Sequence, residues 1–401
     1  MQMSKYKFDW QANNQFELFI DGPQFYPAML DDINAARHYI LLEMYLTSPG
    51  QVSSRFFSAL AAAAKRGVTT CVLLDDFGSR DITEAQRQQL RDQGIELAIY
   101  NPLATSKRSL MLFRDHRKLL VVDDRVAYVG GAALSDELDR ADAPQHNWRE
   151  NMVKIHGQNV LQWRQLFCDT WSSWSSFMLT RQPTLVATHA QQRGRVTMTQ
   201  GPRLLEIKRS FLNHVRSAKQ RVWFCTAYFA PSRKLRASLC ATAARGVDVR
   251  ILLPGDITDN NMARYLAQHY YAQLLASGVR IYEYQPRFLH AKVVLCDDWV
   301  SIGSCNVDRW NFLWNLDANQ EILDSAFSTE VANMFTADFL SSREITSTDW
   351  RQRSLLTRIR IIFWSRYVHL ADVLFNYLGV IRYWRQLRKK SRHGVSPLPS
   401  D

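Results

Sequence analysis

The octet His116-Arg117-Lys118-Leu119-Leu120-Val121-Val122-Asp123 returns further along the chain as His290-Ala291-Lys292-Val293-Val294-Leu295-Cys296-Asp297. Both copies read His-x-Lys, then four residues, then Asp. Both run on through an apolar stretch into a small-residue turn, Gly130-Gly131 in the first and Gly303-Ser304 in the second. The apolar, partly β-branched runs predict strands, on which residues two apart share a face, so His and Lys should project together. The Asp falls where each strand gives way to a turn. One octet alone is a weak signal. Two at matching places point to a single site assembled from two similar halves.

The flanks repeat as well. Ahead of the first octet, hydrophobic spacing predicts strands over 16–20, 39–46, 68–74 and 95–100, alternating with helices over 27–37, 53–65 and 83–92. After residue 195 the pattern restarts, with strands over 196–198, 221–229 and 250–253 and a helix over 204–218. Tyr228 stands for Tyr45, Gly246 for Gly67, Gly278 for Gly94 and His290 for His116, at separations between 174 and 184 residues. Separations that steady mean a duplication, and the alternation of strands and helices makes each half α/β. The expected division is a first domain over 1–180, a polar linker over 181–195, a second domain over 196–345 and a basic tail over 346–401. Trp163, Phe167, Trp171, Trp174 and Phe177 share one helical face, read as a helix packed on its own domain.

With 46% apolar residues, the 401-residue chain can build substantial cores. Its net charge of +12 is unevenly spread: residues 351–392 hold eleven Lys or Arg against the single acid Asp372. The remainder is close to neutral, unlike a nucleic-acid binder with basic residues across its face. Six cysteines without paired or zinc-like spacing read as reduced core residues of a reducing compartment. No secretory leader is visible at Met1-Gln2-Met3-Ser4-Lys5, and no apolar run is long enough to predict a spanning helix.

Two histidines and two lysines suit phosphoryl transfer on a diester. That chemistry needs a nucleophile, a proton donor for the leaving oxygen and fixed positive charge on the non-bridging oxygens. A histidine nucleophile must be neutral and oriented, which a carboxylate on its other nitrogen achieves. Glu150 and Asp317 follow the two octets and are the candidates, Glu150 backing His116 and Asp317 backing His290 in the same half. No metal-ligand spacing is present, and the lysines can supply the charge a metal would, so no cofactor is expected.

With both His-x-Lys-x(4)-Asp motifs intact over roughly residues 15–340, the chain resembles the phospholipase D superfamily. Within that superfamily it is most similar to bacterial cardiolipin synthases of the short type without N-terminal membrane helices. The resemblance implies tandem domains, each a mixed sheet flanked by helices, related by a pseudo-twofold around one shared active site. It implies a phosphatidyl-histidine intermediate and transfer between two phosphatidylglycerol molecules, giving cardiolipin and glycerol.

Carried across, the catalytic set is His116, Lys118, Asp123, His290, Lys292 and Asp297, with the two aspartates supporting the architecture. His116 would be the nucleophile and His290 the general acid and then base, an assignment the residues alone leave open. Ser304 and Asn306, from Gly303-Ser304-Cys305-Asn306, would bind the phosphate. The first half departs here: it reads Gly130-Gly131-Ala132-Ala133, with Ala133 where an Asn is expected, and predicts an asymmetric site. The rival reading is a phosphodiesterase or nuclease using water. The charge distribution and apolar Met111-Leu112-Phe113 beside His116 weigh against nucleic acid. The tail combines apolar and basic residues at helical spacing, as an interfacial helix on an anionic membrane would. These readings place the protein peripherally on the cytoplasmic side of the bacterial inner membrane.

Overall fold

The computed structural model describes residues 6–103, 113–201, 204–308, 312 and 314–367. Met111-Leu112 and the tail beyond residue 367, with its Arg382–Arg392 cluster, lie outside these. The first half supplies β1 (Gln11–Ile20), β2 (Tyr39–Met44), β3 (Thr69–Asp75), β4 (Glu96–Tyr100), β5 (Arg114–Asp115), β6 (Lys118–Val122), β7 (Val126–Gly130) and β8 (Asn151–Gly157). The second supplies β9 (Gln192–Gln200), β10 (Leu204–Leu205), β11 (Arg221–Cys225), β12 (Phe229–Ala230), β13 (Asp248–Pro254) and β14 (Arg280–Tyr284). It continues with β15 (Val293–Cys296), β16 (Trp299–Gly303), β17 (Val307–Asp308), β18 (Asn315–Leu323) and β19 (Ser342–Ile345).

Hydrogen bonding runs unbroken through β4-β3-β2-β6-β7-β8-β1 and on through β9-β18-β16-β15-β11-β13-β14. The order reads the same from both ends, so a pseudo-twofold passes between β1 and β9. Strand β19 adds to β14 alone. Each half joins three parallel strands to an antiparallel set. The parallel ones need crossovers, which helices such as Gln51–Lys65 and Arg233–Ala244 provide.

Strands covered on both faces should be apolar, and β6 is after its opening Lys118. Its Leu119 and Val121 enter a core shared by the two halves, while Leu120 and Val122 face the outer helices of the first half. The helix Gln158–Trp171 presents Trp163, Phe167 and Trp171 to the shared core. Burying each contributes roughly 1.5–3 kcal/mol before entropy. These three pack inward as expected, whereas Trp174 and Phe177 lie beyond the end of the helix and Trp174 is exposed. The helix also joins the halves, because Trp163 Nε1 donates to Gln320 Oε1 at 2.8 Å. All six cysteines are free and at least partly buried.

Three sequence expectations differ from the structure. Strand β9 begins at Gln192, inside the segment read as linker. Its polar residues disguise it: Arg195 is buried, paired with Glu321 at 2.8 Å and stacked on Tyr6 and Trp10. The first helix runs from Gly22 to Asn34, starting five residues earlier than its apolar spacing suggested, with a proline in its opening positions. The octet histidines do not share a strand with their lysines. His116 lies between β5 and β6, and His290 precedes β15.

The tail is docked at its start. Trp350 in the helix Ser347–Gln352 packs on Tyr271, and the helix over 355–367 buries Ile361 and Ser365. The same helix leaves Leu355, Leu356, Ile359, Ile362, Phe363 and Tyr367 exposed. No helix among the described residues is long and apolar enough to cross a membrane.

Candidate active site

The segments just before the two histidines are captured by the opposite half. Strand β5 pairs in parallel with β18, and the His116 amide donates to the Leu316 carbonyl at 2.9 Å. The pseudo-equivalent contact bridges Leu289 to Arg149, and the His290 amide donates to the Arg149 carbonyl, also at 2.9 Å. In each case the next residue along the holding strand is the carboxylate. His116 Nδ1 therefore meets Asp317 Oδ1 at 2.9 Å, and His290 Nδ1 meets Glu150 Oε2 at 2.6 Å. The carboxylates back the histidines crosswise. This corrects the expectation of Glu150 on His116 and Asp317 on His290: proximity in sequence points to the same half, but the exchange of strands across the twofold decides the partner.

Lys118 and Lys292 each fold back to donate to the carbonyl of the histidine two residues earlier. Lys292 also lies 3.6 Å from Glu150. Burial, and then the charge of Lys292, push the Lys118 ammonium down to about 7. Burial likewise lowers Lys292. His290 is pushed down to about 4 by burial and by Lys292, and His116 is lowered by burial and Lys118. Burial opposes ionisation of Glu150, but Lys292 and the His290 hydrogen bond overcome it and hold the carboxyl below its ordinary value. Each lysine acts on the histidine of the other half, so the four groups form one electrostatic unit. With Nδ1 committed to a carboxylate, each neutral imidazole keeps Nε2 unprotonated and available.

Asp123 and Asp297 stand apart. Both occupy left-handed backbone at the far end of their strands, φ 56° and 50°, about 20 Å of extended chain from the histidines. Asp123 accepts from the amides of Arg37, His38 and Tyr39 at 2.7–2.9 Å. Asp297 accepts from those of Lys219, Gln220 and Arg221 at 2.9–3.0 Å. They fix the chain entering β2 and β11 and touch nothing reactive, which removes them from the catalytic set.

Ser304 is also reassigned. Its hydroxyl donates to Asp317 Oδ1 at 2.7 Å, so it steadies the carboxylate and is not free for phosphate. Its counterpart is Gly131, where a side-chain carbon would lie 2.3 Å from Glu150 Oε2. The longer glutamate occupies the space that a serine fills in the other half. Asn306 is buried beside Thr226, whose hydroxyl lies 3.4 Å from the Asn306 carbonyl oxygen. Ala133 at the equivalent place is packed among apolar side chains.

Aromatic rings complete the surroundings. Tyr45 meets the His116 ring edge-on at 4.8 Å and lies under the Lys118 ammonium at 5.0 Å. Trp148 and Phe288 flank His290 at 5.1 and 5.7 Å. Trp148 with Phe288 and Trp314 with Phe113 are matching edge-to-face pairs. The sequence reading used Tyr45 only as a landmark and missed the tryptophans, although each precedes its half's carboxylate by two or three residues.

A mixed sheet with two histidine-lysine motifs converging across a twofold defines the phospholipase D-like class. The family model described as "Cardiolipin synthase, PLD-like domain" matches residues 29–171 and 211–339. Cardiolipin synthase A of Pseudomonas entomophila (strain L48) is 33% identical over 360 residues, covering 87% of this chain and 73% of that protein. Cardiolipin synthase of Clostridium perfringens (strain SM101 / Type A) is 30% identical over 361 residues, covering 87% and 75%. The crystal structure of phosphatidylserine synthase from Haemophilus influenzae Rd KW20 superposes with a TM-score of 0.67 at 14% identity, covering 90% of this chain and 94% of that one. The chain belongs to the cardiolipin synthase family of phospholipase D-like proteins.

Proposed function

We propose that the protein transfers a phosphatidyl group from one phosphatidylglycerol to another, giving cardiolipin and glycerol at a peripheral site on the cytoplasmic face of the membrane. The crossed histidine–carboxylate pairs carry this reading, because they set two oriented imidazoles on one diester, one to attack and one to pass the proton. Each half contributes one histidine, one lysine and the carboxylate for its partner. His116 Nε2 attacks phosphorus and the glycerol oxygen leaves, taking a proton from His290 Nε2. The diester anion seated between Lys118 and Lys292 favours the protonated form of His290 that this step needs. The primary hydroxyl of a second phosphatidylglycerol then gives its proton to His290 and attacks phosphorus, and His116 is released. The lysines stabilise the charge that develops on the non-bridging oxygens in both steps, so the reaction should run without a metal.

Incubation with phosphatidylglycerol vesicles in EDTA, followed by separation of the lipids, tests the proposal. Cardiolipin and glycerol in equal amounts are expected. Phosphatidic acid as the sole lipid product would make water the acceptor and overturn the transfer.

A further inference from the structure

A second cationic site lies outside the reacting groups. A cavity of about 340 Å³ opens where the helices Arg233–Ala244 and Asn261–Gln268 meet the tail helix over 355–367. Arg233, Arg236 and Arg366 line it together with His269, Tyr270 and Ser365. None of the three arginines forms an ion pair with a carboxylate among the described residues. Arg236 lies over the Tyr270 ring at 4.8 Å, and its Nε is shut off from solvent without a hydrogen-bond partner. His269 is lowered by burial and by the charges of Arg236 and Arg366, so both guanidinium groups bear on the same ring.

Helix stability does not account for this placement. Arg233, Lys234 and Arg236 occupy the opening of their helix, whose first turn holds no acid, where the macrodipole disfavours cations. Unpaired guanidinium groups with a stacked aromatic wall suit a phosphate. One wall is the tail helix, whose outer side exposes Leu355, Leu356, Ile359, Ile362, Phe363 and Tyr367 at helical spacing. Arg366 lies one turn from Ile362 and Phe363, and residues 351–392 hold eleven Lys or Arg against one acid.

We propose that this cavity is a second, non-catalytic site that holds the headgroup phosphate of an anionic phospholipid while the adjoining apolar stripe rests in the bilayer surface. The inference rests on the reading of the chain as working on membrane lipid. It concerns binding, not turnover. Seating one lipid in the cavity would fix the depth and orientation of the protein on the membrane.

The test uses the full chain carrying Arg233→Gln, Arg236→Gln and Arg366→Gln together. Binding is measured by cosedimentation with phosphatidylcholine vesicles with and without phosphatidylglycerol, and turnover on a soluble short-chain phosphatidylglycerol. The triple variant should lose the phosphatidylglycerol-dependent part of its binding, by roughly 10-fold or more, with short-chain turnover unchanged. Ile359→Ser with Phe363→Ser should weaken binding to both vesicle types alike. Arg366→Gln alone, on an exposed helix face, should give a smaller loss of the same kind and serves if the triple variant does not fold. Unchanged headgroup-dependent binding would overturn the site. So would lost short-chain turnover in a folded variant, or calorimetry in which inorganic phosphate binds as tightly as the short-chain lipid. Headgroup-dependent binding by a protein that makes no cardiolipin would defeat the proposed function and leave this inference standing.

Discussion

Around His116 the second half supplies an aspartate and a serine; around His290 the first half supplies a glutamate and a glycine. The shorter acid needs a neighbour to steady it, and Ser304 donates to the same oxygen that meets His116. The other oxygen of Asp317 is left buried without a hydrogen-bond partner. The longer acid crosses the space above Gly131 and uses both oxygens, one on His290 and one on the Asn151 amide at 2.8 Å. Two differences that look independent in sequence, Glu for Asp and Gly for Ser, are one compensated exchange. A duplicated fold can preserve the position of a histidine while changing both residues that hold it.

The largest test of the comparison removes the histidines. His116→Ala and His290→Ala should each lower transfer by roughly 10⁴-fold or more, because neither half retains a complete reaction. With labelled donor, quenching in denaturant at alkaline pH, which spares the acid-labile phosphorus–nitrogen bond, should trap phosphoenzyme in the His290→Ala protein and none in His116→Ala. The reverse pattern would exchange the two roles, and full activity in either variant would break the single shared site.

The compensated exchange can be tested directly. Gly131→Ser should push Glu150 off His290 and lower kcat on the order of 10²-fold. Adding Glu150→Asp should restore much of the loss, since the first half then reproduces the Ser304–Asp317 arrangement. A double variant no better than Gly131→Ser alone would mean that acid length and the neighbouring residue are unrelated.

The lysines give a pH test. Lys118 has its acidity near pH 7 in the free protein, so it is charged below that and neutral above. If its charge binds the diester, kcat/KM should fall about tenfold per unit on the alkaline side. Lys118→Arg stays charged and should move that limb upward. A profile that is the same in both proteins would assign the limb elsewhere. On the acid side the limb reflects protonation of the nucleophile His116, which must be neutral to attack and whose acidity burial and Lys118 shift downward.

The smallest effect on chemistry is expected at the motif aspartates, where the halves agree. Asp123→Asn and Asp297→Asn should each cost about 1–3 kcal/mol of stability, seen as a lower Tm. At temperatures where the variants remain folded, kcat should stay within a few-fold of the parent. A collapse of kcat without a change in Tm would return these residues to the reacting set.

Much of this was legible in the chain. The two octets, the matched glycines and the alternation of elements gave the duplication, the α/β class and the histidine–lysine pairs, because strand periodicity and turn chemistry act between near neighbours. What stayed hidden depends on contacts between residues far apart in sequence. The partner of His116 lies 201 residues away and that of His290 lies 140 away, each brought in by a strand of the opposite half. The opening residues of β9, ahead of the strand read over 196–198, were obscured because Arg195 is satisfied by Glu321 and two aromatic rings, a set of partners no local window contains. The aspartates were read as supporting the architecture, and only the turn they close shows which backbone amides their oxygens accept from. The sequence determined which groups can do the chemistry. The tertiary structure decided which carboxylate serves which histidine, because a hydrogen bond at 2.6–2.9 Å depends on where two strands meet in space.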